Sequence, residues 1–146
     1  MNKIAKSYAL MLADLYALMI KTQNYHWHVT GPHFKSLHVF FEELYTQIFT
    51  SIDLVAERML AMGFTAPATL NEIVELRILA DGDAKLNAAE MLMDVEKGFQ
   101  HIIDDLDACI KLVKVDDDEA SLSFLSDLLC RFEKTLWMLR AASSGF

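Results

Sequence analysis

Thirty residues run from His33 to Met62 without a glycine or a proline. Within them Leu37, Phe41, Leu44, Ile48, Val55, Met59 and Met62 fall inside an arc of about 60° when each residue advances about 100°. The alternation of a strand cannot produce that arc. The segment therefore reads as one helix over about 34–63, with Gly63 as its C-terminal cap. A helix of that length measures ~45 Å. Its apolar stripe is buried only against partners of comparable length, which points to a bundle of long helices.

The rest of the chain supplies such partners. A first helix is predicted over about 3–29, with Ile4, Tyr8, Met11, Leu15 and Met19 on one face and His26 continuing it, until Thr30-Gly31-Pro32 ends the pattern. After Gly63 comes a connection of about 20 residues, long enough to need structure of its own. Thr69-Leu70-Asn71-Glu72 has the spacing of a capping box, so a short helix is expected at about 70–78. Asp81-Gly82-Asp83 reads as a turn. A third long helix follows over about 84–114, with Leu92, Val95, Phe99, Ile102, Leu106, Cys109 and Val113 in register. Asp116-Asp117-Asp118-Glu119 opens the fourth, about 118–142, where acidic groups suit the positive end of the helix dipole. Its stripe is Leu122, Leu125, Leu129, Phe132, Leu136 and Leu139. Two hairpins joined by a connection that crosses the bundle give an all-α fold. It is a four-helix bundle with a short extra helix between helices 2 and 3, in a single domain covering 1–146.

Composition agrees with that class. Of 146 residues 53% are hydrophobic, and only 5 are Gly and 2 Pro. No window of 18 residues is uninterruptedly apolar, and the N-terminal residues 1–6 carry no signal-peptide pattern, so a cytoplasmic protein without a membrane segment is expected. The net charge of −8 argues against a generic DNA binder and suits a protein that attracts cations. Cys109 and Cys130 lack CxxC spacing and read as buried thiols.

The second helix also carries ligand chemistry. His38/Glu42 and Asp53/Glu57 are both i,i+4 pairs, so each shares a helix face. Glu42, Asp53 and Glu57 all lie within about 100° of His38 around the axis, but Asp53 sits roughly 22 Å further along it. One copy of the helix cannot fold both pairs around one ion. His38 and Glu57 are equidistant from residues 47–48, and so are Glu42 and Asp53. Antiparallel copies related by a two-fold axis there place His38 level with the partner's Glu57, and Glu42 level with the partner's Asp53. The pattern predicts a symmetric dimer with two equivalent metal sites. Tyr45, Phe49 and Leu60 lie near the ligand stripe, and a helix apolar on a second face is buried on a second face, here by the two-fold partner. Imidazole with carboxylates and no thiolate suits iron, manganese or zinc. The Glu-x-x-His motifs of a bundle-core di-iron site are absent.

His26-Trp27-x-Val29-x-Gly31, Leu37-His38-x-x-x-Glu42 and Ile52-Asp53-x-Val55-Ala56-Glu57-Arg58 together resemble the Dps family, the mini-ferritins or DNA-protection-during-starvation proteins. The four-helix pattern extends the resemblance over nearly the whole chain. It implies a ferritin-like four-helix bundle and a hollow dodecamer built from two-fold dimers. It also implies ferroxidase sites in which His26, His38 and Glu42 come from one subunit and Asp53 and Glu57 from its neighbour. The activity implied is oxidation of Fe²⁺, preferentially by hydrogen peroxide, with storage of ferric mineral and protection against oxidative stress. Zinc or manganese are possible substitutes for iron. Trp27, next to a ligand, passes electrons or packs at an interface. Arg58 stays outside the site, as an ion-pair partner.

His28, His33 and His101 read as exposed or capping, and the eight Met as core fillers. The acidic run 116–119, with Asp127, is either a solvated helix start or the lining of a pore that admits iron. Only Lys3 and Lys6 stand near the N-terminus, and 143–146 carry no basic residue. A lysine-rich DNA-binding tail of the kind found in several Dps members is not seen, so DNA binding is not expected. Two other readings remain: a nucleoid-associated DNA-protecting protein whose metal site is secondary, and a helical homodimer holding structural zinc.

Overall fold

A computed structural model describes residues 2–146. Met1, part of the N-terminal stretch considered above, lies outside the described residues. Five helices follow in order: α1 Lys3–His28, α2 Phe34–Ala61, α3 Leu70–Leu76, α4 Ala88–Val115 and α5 Glu119–Ser143. Among the described residues there is no strand. Among the described residues no helix is long and apolar enough to cross a membrane.

Side-chain contacts fix the topology. Lys21 bonds Asp94, Gly98 lies against Leu18, and His101 bonds Asp14. As α1 runs backwards α4 runs forwards, so the two are antiparallel. Arg58 bonds Ser121 and Gln47 accepts from Thr135, which makes α2 and α5 antiparallel as well. α1/α2 and α4/α5 are hairpins closed by short turns, and these two hairpins make the four-helix bundle. The long connection travels the length of α1. Ile78 and Leu79 give their N–H groups to Asp14, and Asp83 gives its N–H to the Tyr25 hydroxyl near the end of that helix. The connection therefore carries the chain from one end of the bundle to the other, with α3 resting on α1.

The core is the union of the expected stripes. Tyr8, Met11, Leu15, Phe41, Leu44, Ile48, Val55, Leu92, Val95, Phe99, Leu125 and Phe132 are all buried within it. Gly98 lets α1 and α4 approach: a Cβ there would come within 2.4 Å of Leu18 Cδ1.

Helix ends depart from expectation by a few residues, for local reasons. α2 stops at Ala61, and Gly63, at φ +85°, closes it. The Phe64 N–H bonds the Met59 carbonyl and the Gly63 N–H bonds the Leu60 carbonyl, a Schellman pair. The expected turn at 81–83 lies later, with the Leu86 N–H bonding the Asp83 carbonyl. This turn delays α4 to residue 88, where Asn87 and Glu90 form a full capping box. At Thr69 only half of the expected box forms: Thr69 accepts from the Glu72 N–H, while the Glu72 carboxylate takes the Thr69 hydroxyl. Cys130 is exposed rather than buried. The helical step places it about 160° from Phe132, away from the core stripe. Cys109 is buried, as expected.

Candidate metal centre

The end of α1 and the start of α2 bring His26 and His38 together across the tight turn at Gly31, which holds φ +110°. Their rings stack with centroids 3.8 Å apart and planes 12° from parallel. Each Nδ1 lies 2.6 Å from the other residue's backbone carbonyl. A carbonyl only accepts, so each Nδ1 carries a proton. In the neutral rings that leaves both Nε2 lone pairs for a ligand or metal, the arrangement in which a backbone carbonyl orients a metal-binding imidazole. Tyr45 packs edge-on to His26, and Phe34 stacks on His38. The pair is thus held by backbone and aromatic contacts, with His26 buried and His38 half-buried.

Glu42 lies one turn beyond His38 and is exposed, with the Tyr45 hydroxyl 3.5 Å from one carboxylate oxygen. Partial burial, and then the Glu42 carboxylate, raise the Tyr45 phenol above its ordinary range. Asp53 and Glu57 lie further along the same helix, both exposed. Asp53, by hydrogen bond first and charge second, holds the Glu57 carboxyl above the usual range. Among the described residues no Lys or Arg pairs with Glu42, Asp53 or Glu57. Arg58, adjacent in sequence, instead gives its guanidinium to Ser121 and lies 3.7 Å from Asp118.

One chain therefore brings His26 and His38 together, with Glu42 one turn beyond His38 on α2, and leaves Asp53 and Glu57 several turns away. Phe49 and Leu60 lie on the same stripe of α2 and are exposed in the protomer. Trp27 points outward, at 67% exposure, so it does not pack within its own chain. His28 and His33 are exposed, as expected. His28 bonds the Asn24 carbonyl, and His33 begins α2 without a side-chain cap.

His101 departs from expectation. It is half-buried and bonds Asp14, with Asp105 close by. The sequence carried a usable signal here, because His101 and Asp105 have the same i,i+4 spacing as His38 and Glu42. What no local pattern gave was Asp14, brought in from α1. Asp118 caps α5 by accepting from the Ser121 N–H, and the Ser121 side chain first, with this backbone contact second, holds its carboxyl below the usual range. One member of the acidic run is thus committed to the helix start.

The ferritin-like domain family matches residues 10–144. "DNA protection during starvation protein 2" of Bacillus anthracis is 36% identical over 130 residues, covering 89% of each chain. The crystal structure of a Dps protein from Bacillus brevis superposes with a TM-score of 0.90 at 35% identity, covering 94% of this chain and 93% of that one. A Dps protein from Vibrio cholerae O1, described as a member of a broad superfamily of ferritin-like diiron-carboxylate proteins, gives 0.92 at 26% identity, covering 95% and 87%. Five helices, the stacked histidine pair and these likenesses lead to one assignment: the chain belongs to the Dps family of ferritin-like proteins.

Proposed function

We propose that the protein is a ferroxidase that oxidises Fe²⁺ at sites shared between two-fold-related subunits and stores the ferric product in a hollow shell. The observation that carries this reading is the split ligand set of α1 and α2. His26 and His38 present free Nε2 atoms where the two helices meet, and Asp53 and Glu57 sit towards the far end of α2 with no Lys or Arg among the described residues paired to them. An antiparallel partner supplies to each half what it lacks. The same contact covers Phe49 and Leu60, which would otherwise be large apolar groups in water.

In this reading iron is the substrate. The imidazole Nε2 atoms and the carboxylates bind Fe²⁺, and the excess of carboxylate favours the more highly charged ferric product. Hydrogen peroxide fits as oxidant. Two ferrous ions each give one electron, the O–O bond breaks, and with two protons both oxygens leave as water, so no hydroxyl radical is released. Zinc or manganese would occupy the same donors, and zinc would do so without being oxidised. Assembly beyond the dimer, to the dodecamer that the family resemblance implies, gives the ferric product an enclosed volume.

DNA protection, in the sense of the relatives' names, then follows from removing Fe²⁺ and peroxide together rather than from coating DNA. The net charge of −8 per chain supports this choice, since an acidic assembly is repelled by phosphate. A gel shift at moderate salt without divalent cations is expected to leave DNA unretarded, and a retained band would overturn that part of the reading.

The test of the site is anaerobic loading with Fe²⁺ followed by peroxide, monitored by ferric absorbance. Asp53→Ala/Glu57→Ala is expected to lose the rapid phase, slowing it by about 10²-fold or more, the order of effect expected when metal-site groups are removed, while still assembling. Unchanged kinetics in that variant would remove Asp53 and Glu57 from the site.

A further inference from the structure

Asp14, His101 and Asp105 form a second group of ligand-type side chains, set apart from the first. Asp14 lies twelve residues from His26 on the same helix, roughly 18 Å along its axis. Its carboxylate is fully buried. Oδ1 accepts the N–H groups of Ile78 at 2.7 Å and Leu79 at 3.0 Å, from the connection that crosses the bundle. Oδ2 lies 2.7 Å from His101 Nε2. Asp105, one turn further on α4, brings its own Oδ2 to 3.5 Å from that nitrogen. The Asp105 oxygen is shielded from solvent and has no hydrogen-bond partner.

An unpartnered carboxylate oxygen in a shielded position is costly, and two carboxylates around one imidazole leave an excess of negative charge. The obvious protein cation is engaged elsewhere, since Arg77, next to Ile78, bonds Asp81 and the Leu79 carbonyl. The three donor atoms all lie within 4.8 Å of one another. Around a tetrahedral ion with bonds of about 2.1 Å, donors sit about 3.4 Å apart, and the observed 2.7 and 3.5 Å bracket that spacing. One nitrogen and two oxygens, without sulfur, are donors for a divalent ion such as Zn²⁺.

We propose that Asp14, His101 and Asp105 bind one divalent transition-metal ion per protomer, of the Zn²⁺ type, which clamps α1, α4 and the crossing connection together. The ion bonds Asp14 Oδ2 while Asp14 Oδ1 keeps the two connection N–H groups, so binding is felt in the connection as well as in the helices. The site owes nothing to a second subunit, so it stands or falls separately from the ferroxidase reading.

The experiment is a titration of chelator-treated assembly with Co²⁺, whose visible absorption reports tetrahedral nitrogen and oxygen ligands. Asp53→Ala/Glu57→Ala, which weakens the other centre, is compared with the same protein carrying His101→Asn. One Co²⁺ per chain is expected to remain in the first and to be lost in the second. Single variants His101→Asn and Asp105→Asn in the otherwise natural chain serve as a second measurement. Each is expected to hold one Zn²⁺ fewer per chain by equilibrium dialysis, to lose the rise in Tm that Zn²⁺ gives the natural protein, and to keep rapid Fe²⁺ oxidation. Zn²⁺ stoichiometry and Zn²⁺-dependent Tm that are the same in these variants as in the natural protein would overturn the proposal.

Discussion

His26 and His38 exchange Nδ1 contacts with each other's carbonyls, so the turn between α1 and α2 itself decides which ring nitrogens face outward. Their residue types and positions could be read from the sequence, as could the i,i+4 carboxylates. The reciprocal contact could not, because it depends on the exact path of the chain through Thr30-Gly31-Pro32. Asp105 shows the converse case, a group whose local pattern was plain but whose environment was not. Folding raises its pKa from 3.8 to about 7 through burial, Asp14 and Asp104, against His101. Between those values the folded chain holds a proton that the unfolded chain has released, so the stability this group contributes at low pH is lost as pH rises from about 4 through 7. Asp105→Asn removes the step. In chelator-treated protein the variant is expected to be more stable than the natural chain at pH 8, by on the order of 1–2 kcal/mol after allowing for partial solvent access. The gap closes towards pH 4. Urea denaturation across that range measures it, and a gap independent of pH would contradict the assignment.

At the scale of elements, the stripes of four helices were legible because each is long and spans many turns of one period. Their ends were less so, because caps are chosen by single side chains. The α4–α5 turn illustrates this. Asp117 sits at φ 53°, and the Asp118 and Asp117 N–H groups bond the Val113 and Lys114 carbonyls. This is the geometry that glycine usually supplies, built here without one. Asp117→Gly is expected to stabilise the protein by roughly 0.5–1 kcal/mol, because glycine adopts that conformation without a Cβ penalty. The close approach of α1 and α4 at Gly98 was not legible either, since a lone glycine in a helical pattern has several meanings. Gly98→Val drives two γ-carbons towards the buried Leu18 and is expected to cost about 2 kcal/mol or more. Thermal melting of the two variants in parallel checks both signs.

For the whole molecule, the proposed two-fold contact answers a feature that the bundle leaves open. Its core closes over the apolar stripes, and among the large apolar side chains left in water are Phe49 and Leu60 of α2, on the face that carries Asp53 and Glu57. The spacing of His38, Glu42, Asp53 and Glu57 around residues 47–48 predicts a dyad on that face. The fold of one chain then places the two histidines together and the two carboxylates apart. The most direct measurement of a shared site is complementation between two inactive variants, His38→Ala/Glu42→Ala and Asp53→Ala/Glu57→Ala, assembled alone and after mixing in the unfolded state. In a mixed dimer one site receives both intact halves and the other receives neither. Random pairing makes about half of the dimers mixed, so the account predicts recovery of about a quarter of the rapid Fe²⁺ oxidation by peroxide. Mixed assemblies as inactive as either parent would contradict it.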